Sequence, residues 1–73
     1  MIIYIRRIRD LREDKDKTQD EIAEYLKIDR KTYNRIENGT SQIKLETAIK
    51  LARYYNISLD YIAGFTDEPK KIY

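Results

Sequence analysis

The chain has 73 residues, enough for one small domain and too few for the deep cavity that a large substrate requires. It contains no cysteine and no histidine, which excludes disulfides, thiolate zinc sites and the commonest general base of enzymes. Charged residues make up 38% of the chain, but the net charge is only +2. A nucleic-acid partner must therefore be inferred from where the charges lie rather than from their sum.

The N-terminal part of the sequence predicts two helices. Ile5, Ile8 and Leu11 recur with helical spacing, which predicts helix one over residues 4–14. A charged turn follows at 14–17. Thr18 and Glu21 have the spacing of a capping box, in which the hydroxyl accepts from the amide of residue 21 and the carboxylate reaches back. This pattern predicts helix two over residues 19–26.

Helix three is predicted over residues 30–37. Asp29 is a candidate N-cap, and Asn38-Gly39 should stop the helix with one of the two residues in the left-handed conformation. Tyr33 and Ile36 are three residues apart, so both can face inward.

The C-terminal half predicts two more helices and a tail. Helix four is predicted over 45–55 by an inward apolar face: Leu45, Ala48, Ile49, Ala52 and Tyr55. Ser58 should cap a last short helix that Gly64 ends, with three residues inward: Leu59, Ile62 and Ala63. No segment alternates long enough to predict a strand. We therefore predict an all-α domain over residues 1–66 and a polar tail over 67–73.

Residues 19–36 have the pattern of a helix-turn-helix. Two short helices are joined by three residues, and the small Ala23 lies where such helices cross closely. Apolar residues precede, occupy and follow the turn: Ile22, Leu26, Ile28, Tyr33 and Ile36. In this motif the second helix presents its first turn and its outer face to the major groove of DNA.

The outer face of helix three carries donors that suit base edges. Arginine and lysine pair with guanine, and asparagine pairs with adenine, so the candidate base contacts are Arg30, Lys31, Asn34 and Arg35. Asp29 could accept from cytosine N4 or serve only as a helix cap. Donors suited to phosphates surround this face: Gln19, Asn38, the amides of Gly39 and Thr40, Ser41, Gln42 and Lys44.

Together these segments resemble the phage-repressor-like, Xre-type helix-turn-helix family. The similar segments are Leu-Arg-Glu at 11–13, Thr-Gln-Asp-Glu-Ile-Ala at 18–23, Arg-Ile-Glu-Asn-Gly at 35–39, and residues 45–52 and 58–64. Their order and spacing cover roughly residues 5–66. The resemblance implies a compact five-helix phage-repressor-like DNA-binding domain with the helix-turn-helix at helices 2–3.

The resemblance also implies roles for individual residues. Gln19 resembles the glutamine that braces a phosphate and the recognition helix. Base contacts fall on Asp29, Arg30, Lys31 and Arg35, and backbone contacts fall on Asn38 and the loop 39–44. Arg12 and Glu37 resemble a buried ion pair between helix one and the end of helix three. Relatives bind as homodimers, often through the last helix, which here would present Ile57, Tyr61 and Phe65.

Two residues depart from the family pattern, and the tyrosines need separate interpretation. Lys27 stands at a turn position that is often glycine, and Asp29 brings a carboxylate where neutral polar residues are frequent.

Three tyrosines are interpreted as packing rather than base stacking, since stacking platforms suit single strands: Tyr25, Tyr33 and Tyr55. Tyr61 and Phe65 are either lids on the core or dimer contacts.

The sequence as a whole predicts a sequence-specific, double-stranded DNA-binding transcriptional regulator. We expect a homodimeric repressor on a pseudo-palindromic operator, without enzymatic activity, cofactor or metal. The longest apolar run, residues 1–5, is too short for a membrane span or a signal peptide, so a cytoplasmic protein is expected. The alternative function is an antitoxin or docking module that uses the same fold to bind a toxin protein.

Overall fold

The structure, a computed structural model, describes residues 3–68, and this part of the chain forms five α-helices and no strand. The helices are α1 (Ile3–Asp14), α2 (Gln19–Leu26), α3 (Arg30–Asn38), α4 (Leu45–Tyr55) and α5 (Leu59–Ala63). The prediction of an all-α five-helix domain is confirmed, although α1 begins one residue earlier and α3 ends one residue later than predicted. Among these helices none has the length and apolarity to cross a membrane. Residues 69–73, most of the predicted tail, lie outside the described residues.

Side-chain caps fix where α2, α3 and α5 begin. The Glu21 amide donates to the Thr18 hydroxyl at 3.1 Å, and the Thr18 amide donates to the Glu21 carboxylate at 2.9 Å, so the predicted capping box forms. Asp29 caps α3 by accepting from the Thr32 amide at 2.7 Å. Ser58 caps α5 in the same way. Each cap satisfies amides that a helix leaves without a partner.

The core lies where the helices meet. Its buried residues come from every helix: Ile8, Ile22, Ala23, Leu26, Tyr33, Leu51, Ala52, Tyr55 and Ile62. Tyr33 and Tyr55 are buried, in agreement with their predicted packing role, whereas Tyr25 is 41% exposed and lies outside the core. The Tyr25 ring instead packs on the surface against Tyr54, with centroids 4.6 Å apart.

Three apolar residues that were predicted inward are exposed. Leu45 is 67% exposed, and Ile49 and Ala63 are exposed as well. Leu45 begins α4, Ile49 lies one turn further on the same edge, and Ala63 ends α5. These positions lie at the rim of the domain, where no other described helix covers them.

Arg7 holds the end of α5 against α1, a role that the sequence did not predict. Its Nη1 donates to the carbonyls of Tyr61 and Thr66, each at 2.6 Å, and its Nη2 donates to Asp67 at 2.8 Å. The guanidinium also lies 4.2 Å from the centroid of the Tyr61 ring, a cation–π contact. The side chain is only 11% exposed, so Arg7 joins the two ends of the described chain.

Gly39 ends α3 in the left-handed conformation, with φ of 79°. A Cβ atom at this position would lie 2.6 Å from Cδ1 of Ile5. The left-handed backbone therefore favours glycine here, as the Asn38-Gly39 pair predicted, and any larger residue would also have to displace the tip of the Ile5 side chain.

Lys27, at the turn between α2 and α3, also adopts the left-handed conformation (φ 60°, ψ 41°). A Cβ atom costs about 1 kcal/mol in this region, so Lys27→Gly should raise the melting temperature by about 4–8 °C. DNA binding should persist. Lys27→Ala is the matched control, because it removes the charge but keeps the Cβ atom and should give no such rise. A glycine variant with an unchanged or lower melting temperature would contradict the assignment of strain.

Candidate nucleic-acid interface

The α2–turn–α3 unit holds one face of α3 inward and leaves the other outward. Ala23, 3% exposed, lies between the two helices, and its small side chain permits their close crossing. Tyr33 and Ile36 anchor the inner face of α3 at 0% and 5% exposure. The orientation of the outer face is therefore set by the core.

The outer face of α3 brings together the four predicted base-contact residues. Arg30, Lys31 and Arg35 are exposed and Asn34 is half-buried. Arg30, Lys31 and Asn34 line one shallow, open depression of about 350 Å³. Within residues 3–68, Lys31 and Arg35 form no ion pair, so their charges remain available to an anionic ligand.

Asp29 acts as a helix cap in the structure. One carboxylate oxygen accepts from the Thr32 amide at 2.7 Å. Hydrogen bonding to Thr32, and then the positive charges of Arg35 and Lys31, lower the pKa of Asp29 below its usual value. A contact from Asp29 to cytosine stays a prediction and would have to use the remaining acceptor capacity of this carboxylate.

The loop after α3 offers side chains rather than backbone amides. The amides of Gly39 and Thr40 were predicted to bind phosphates, but they donate to the carbonyls of Ile36 and Arg35 at 3.2 and 3.0 Å. These bonds close the C-terminal end of α3, so the prediction of available amides is wrong. Four predicted phosphate-contact residues are exposed here: Asn38, Thr40, Gln42 and Lys44.

A buried polar cluster ties α3 to α1 and α2. Glu37, 1% exposed, accepts from Nε of Arg12 at 2.7 Å and from Nη2 of the same residue at 3.1 Å. Gln19, at the start of α2, donates its side-chain amide to the same carboxylate at 3.2 Å. Arg12 also donates to the Lys17 carbonyl at 2.9 Å. The carboxylate of Glu37 thus fixes the position of three helices relative to one another.

Charge pairing in this cluster outweighs desolvation. Burial alone would raise the pKa of Glu37, but hydrogen bonding to Arg12 and then to Gln19 holds that pKa below its usual value. The hydrogen bond to Glu37 is the main cause that raises the pKa of Arg12. Burial, followed by the neighbouring carboxylate, raises the pKa of Tyr33. Glu37 is therefore ionised at neutral pH and Tyr33 is neutral.

The lowered pKa of Glu37 predicts a pH dependence of stability. A carboxyl with a depressed folded-state pKa stabilises the protein above its unfolded pKa of about 4.3 and loses that contribution as the pH falls through its folded pKa. Glu37→Gln stays neutral at every pH, like a protonated glutamate. The difference in free energy of unfolding between wild type and Glu37→Gln should be constant above about pH 5 and should narrow below about pH 4. Urea titrations at several pH values measure it, and a pH-independent difference would contradict the assignment.

One contact beside the outer face was not predicted. Nε of Arg30 lies 3.6 Å from a carboxylate oxygen of Asp20, in the first turn of α2. In the first turn of α2 the Asp20 carboxylate also interacts favourably with the helix dipole. No periodic pattern marks an ion pair between the first turns of two successive helices.

An apolar groove lies away from the outer face of α3. It measures about 390 Å³ and its lining includes Tyr4, Ile43, Leu45, Leu59 and Phe65. Phe65 is 84% exposed, whereas the other two residues of the predicted dimer face, Ile57 and Tyr61, are half-buried within the domain. Among residues 3–68 no group of three or more carboxylates is placed to hold a metal ion.

Comparison with known proteins shows which sequences this chain resembles. The family described as helix-turn-helix matches residues 8–62. The uncharacterized HTH-type transcriptional regulator YobD of Bacillus subtilis (strain 168) is 36% identical over 67 residues, covering 92% of this chain and 60% of the relative. The cryptic phage CTXphi transcriptional repressor RstR of Vibrio cholerae is 39% identical over 57 residues, covering 78% of this chain and 51% of the relative. This chain therefore spans about half to three-fifths of the length of these relatives, and no solved structure gives a significant match.

Proposed function

Because the chain belongs to the Xre-like helix-turn-helix family, we propose that it binds double-stranded DNA sequence-specifically and represses transcription. The observation that carries this proposal is the outer face of α3, where exposed cations lie on a helix whose inner face is fixed by the core. The names of the two relatives, a transcriptional regulator and a transcriptional repressor, support it. Repression would follow from occupancy, since bound protein excludes polymerase from the same DNA.

The contacts divide into two sets by their expected partners. Base edges in the major groove would be contacted by four residues of α3: Arg30, Lys31, Asn34 and Arg35. Phosphates would be contacted by residues that flank this face: Gln19, Asn38, Thr40, Gln42 and Lys44. The first set would select the sequence, and the second would set the orientation of the domain and the dependence of affinity on salt.

We also propose that two copies bind as a homodimer. Half-sites read by paired helix-turn-helix domains have centres about 34 Å apart. The Cα atoms extend over 30 × 23 × 22 Å, so two domains fit side by side at this spacing with side chains between them. Exposed Phe65 and Leu45, beside the apolar groove, are the surface that we assign to this contact.

Fluorescence anisotropy tests the proposed function. The protein is titrated against a labelled duplex from directly upstream of its own gene and against a scrambled duplex, at two salt concentrations. We expect preference for the native duplex and a loss of affinity with salt that follows the number of phosphate contacts. Equally weak binding to both duplexes would contradict autoregulation, and failure on every duplex tested would contradict DNA binding itself.

Two substitutions separate base contact from phosphate contact. Arg30→Ala should reduce discrimination at one base pair by about 1–3 kcal/mol, because arginine and guanine pair through two hydrogen bonds. Lys44→Ala should weaken binding to all duplexes alike and reduce the salt dependence by about one phosphate contact. Affinities for a set of single-base-pair variants of the bound duplex distinguish the two effects. The reverse pattern of losses would overturn these assignments.

A protein partner is the second candidate function, and the apolar groove favours it. Leu45 and Phe65 are 67% and 84% exposed and both line this groove, so a toxin-like protein could cover them as well as a second copy. Co-purification with the product of a neighbouring small open reading frame tests this alternative. Capture of that product, together with absent DNA binding, would favour the antitoxin function.

A further inference from the structure

Arg30 differs from the other cations of the α3 face because a carboxylate lies beside it. Its Nε lies 3.6 Å from Oδ1 of Asp20, whereas Lys31 and Arg35 form no ion pair within the described chain. The side chains of Arg30 and Asp20 are 67% and 74% exposed, so DNA can still reach the guanidinium. Ion pairs as exposed as this one contribute little to folding stability. We therefore ask how the pair would affect DNA binding.

An unrestrained arginine at a DNA surface lowers discrimination. Its long side chain can turn to the nearest phosphate of any sequence, which adds the same affinity to every duplex. An arginine with a restrained guanidinium offers its donors in one direction, as two-bond pairing with guanine requires. A carboxylate beside it also opposes any position that would bring a phosphate to the same place.

We propose that Asp20 is a specificity-determining residue that holds the Arg30 guanidinium towards one base pair and keeps it from binding phosphates of arbitrary sequence. This inference rests on the proposed DNA-binding function. Asp20 is a positioning residue here: it contacts Arg30 on the adjacent helix and needs no contact with DNA. The neighbouring Gln19 cannot take this part, because its side-chain amide is turned to Glu37.

Three variants test the proposal, with one matched control. Asp20→Asn removes the charge and keeps the shape, Arg30→Ala removes the restrained side chain, and the double variant combines them. Glu24→Gln is the control, since Glu24 lies one turn further along α2, is exposed and forms no ion pair within residues 3–68. Melting temperatures establish that each variant folds. Asp20→Ser, which also retains a polar residue in the first turn of α2, repeats the measurement with a second side chain.

The readout is a ratio of dissociation constants on three duplexes. The first is the duplex that the wild type selects from a random pool, the second differs from it at the base pair whose preference Arg30→Ala abolishes, and the third is unrelated. Asp20→Asn should lower the ratio between the second and the first by about threefold to tenfold, a part of what one arginine–guanine pair supplies. It should also strengthen binding to the unrelated duplex. In the Arg30→Ala background the ratio is already close to one, so the unrelated duplex is the readout there: Asp20→Asn should strengthen binding to it no more than Glu24→Gln does.

Other outcomes would overturn the inference. Asp20→Asn and Glu24→Gln could raise the affinity for all three duplexes equally and leave the ratio unchanged. That result would show that Asp20 acts only through long-range charge. If Asp20→Asn strengthens binding to the unrelated duplex as much with Arg30→Ala as without it, action through Arg30 is excluded. A wild type that selects no sequence would overturn the proposed function and this inference together. A wild type that selects one, with an unaltered ratio in Asp20→Asn, would overturn this inference alone.

Discussion

Replacing Glu37 with alanine should lower the free energy of unfolding by about 3–5 kcal/mol, because the change leaves the charge of Arg12 buried without its partner. Glu37 is 1% exposed and the side chain of Arg12 is 14% exposed, so water cannot replace the lost carboxylate fully. Gln19 loses an acceptor as well. A domain of this size has a total stability of about 4–11 kcal/mol, so part of the Glu37→Ala population should be unfolded at room temperature.

Chemical denaturation measures this loss, and Glu13→Ala is the matched control. Glu13 lies on α1 beside Arg12 and is exposed; among the described residues it acts on Arg12 only through its charge and forms no hydrogen bond with the cluster around Glu37. Its removal should change the free energy of unfolding by less than about 0.5 kcal/mol. A Glu37→Ala variant with the midpoint of the wild type would show that the buried pair does not hold the three helices together.

Replacing Arg7 with alanine should cost about 2–3 kcal/mol, because hydrogen bonds from a charged donor contribute more than neutral ones. The variant loses the bonds to the carbonyls of Tyr61 and Thr66, the ion pair with Asp67 and the contact with the Tyr61 ring. The end of α5 then loses its attachment to α1. Because Phe65 lies in this segment, the proposed dimer should weaken along with the fold.

Thermal unfolding of Arg7→Ala and Arg6→Ala provides the comparison. Arg6 is the adjacent residue, but its side chain is 73% exposed and, within residues 3–68, its ion pair is with Asp10 along the same helix, at 3.6 Å. Its loss should cost less than about 0.5 kcal/mol. Arg7→Lys keeps the charge without the fork of donors and should lie between wild type and Arg7→Ala. Equal melting temperatures for Arg6→Ala and Arg7→Ala would refute the role of Arg7.

The helices could be predicted from sequence because the signals that begin and end them are local. Thr18 and Glu21 lie in one turn, and Gly39 ends α3 at the residue where it stands. The exposure of Leu45 and Ile49 could not be predicted in this way. Helical spacing identifies an apolar face, but it does not tell whether a neighbouring helix extends far enough to cover all of it.

Only those features of the candidate site that helix geometry determines could be predicted from the sequence. The position of the motif places Arg30 and Lys31 on the outer face of α3, and the structure agrees with that placement. The contacts that Arg7 and Asp20 make depend instead on how the helices pack in the tertiary structure. Arg7 binds backbone carbonyls more than 50 residues away, and Asp20 meets Arg30 across a turn, so no local pattern marks either one.

Selection from a pool of random duplexes tests the central claim most directly, because it needs no assumption about the operator. The wild-type protein should enrich one motif, with two inverted half-sites whose centres lie about 10 base pairs apart. A variant that combines Lys31→Ala and Arg35→Ala, with a wild-type melting temperature, should lose that enrichment. A pool that stays random after selection with the wild type, or the same motif enriched by this variant, would contradict sequence recognition by the outer face of α3.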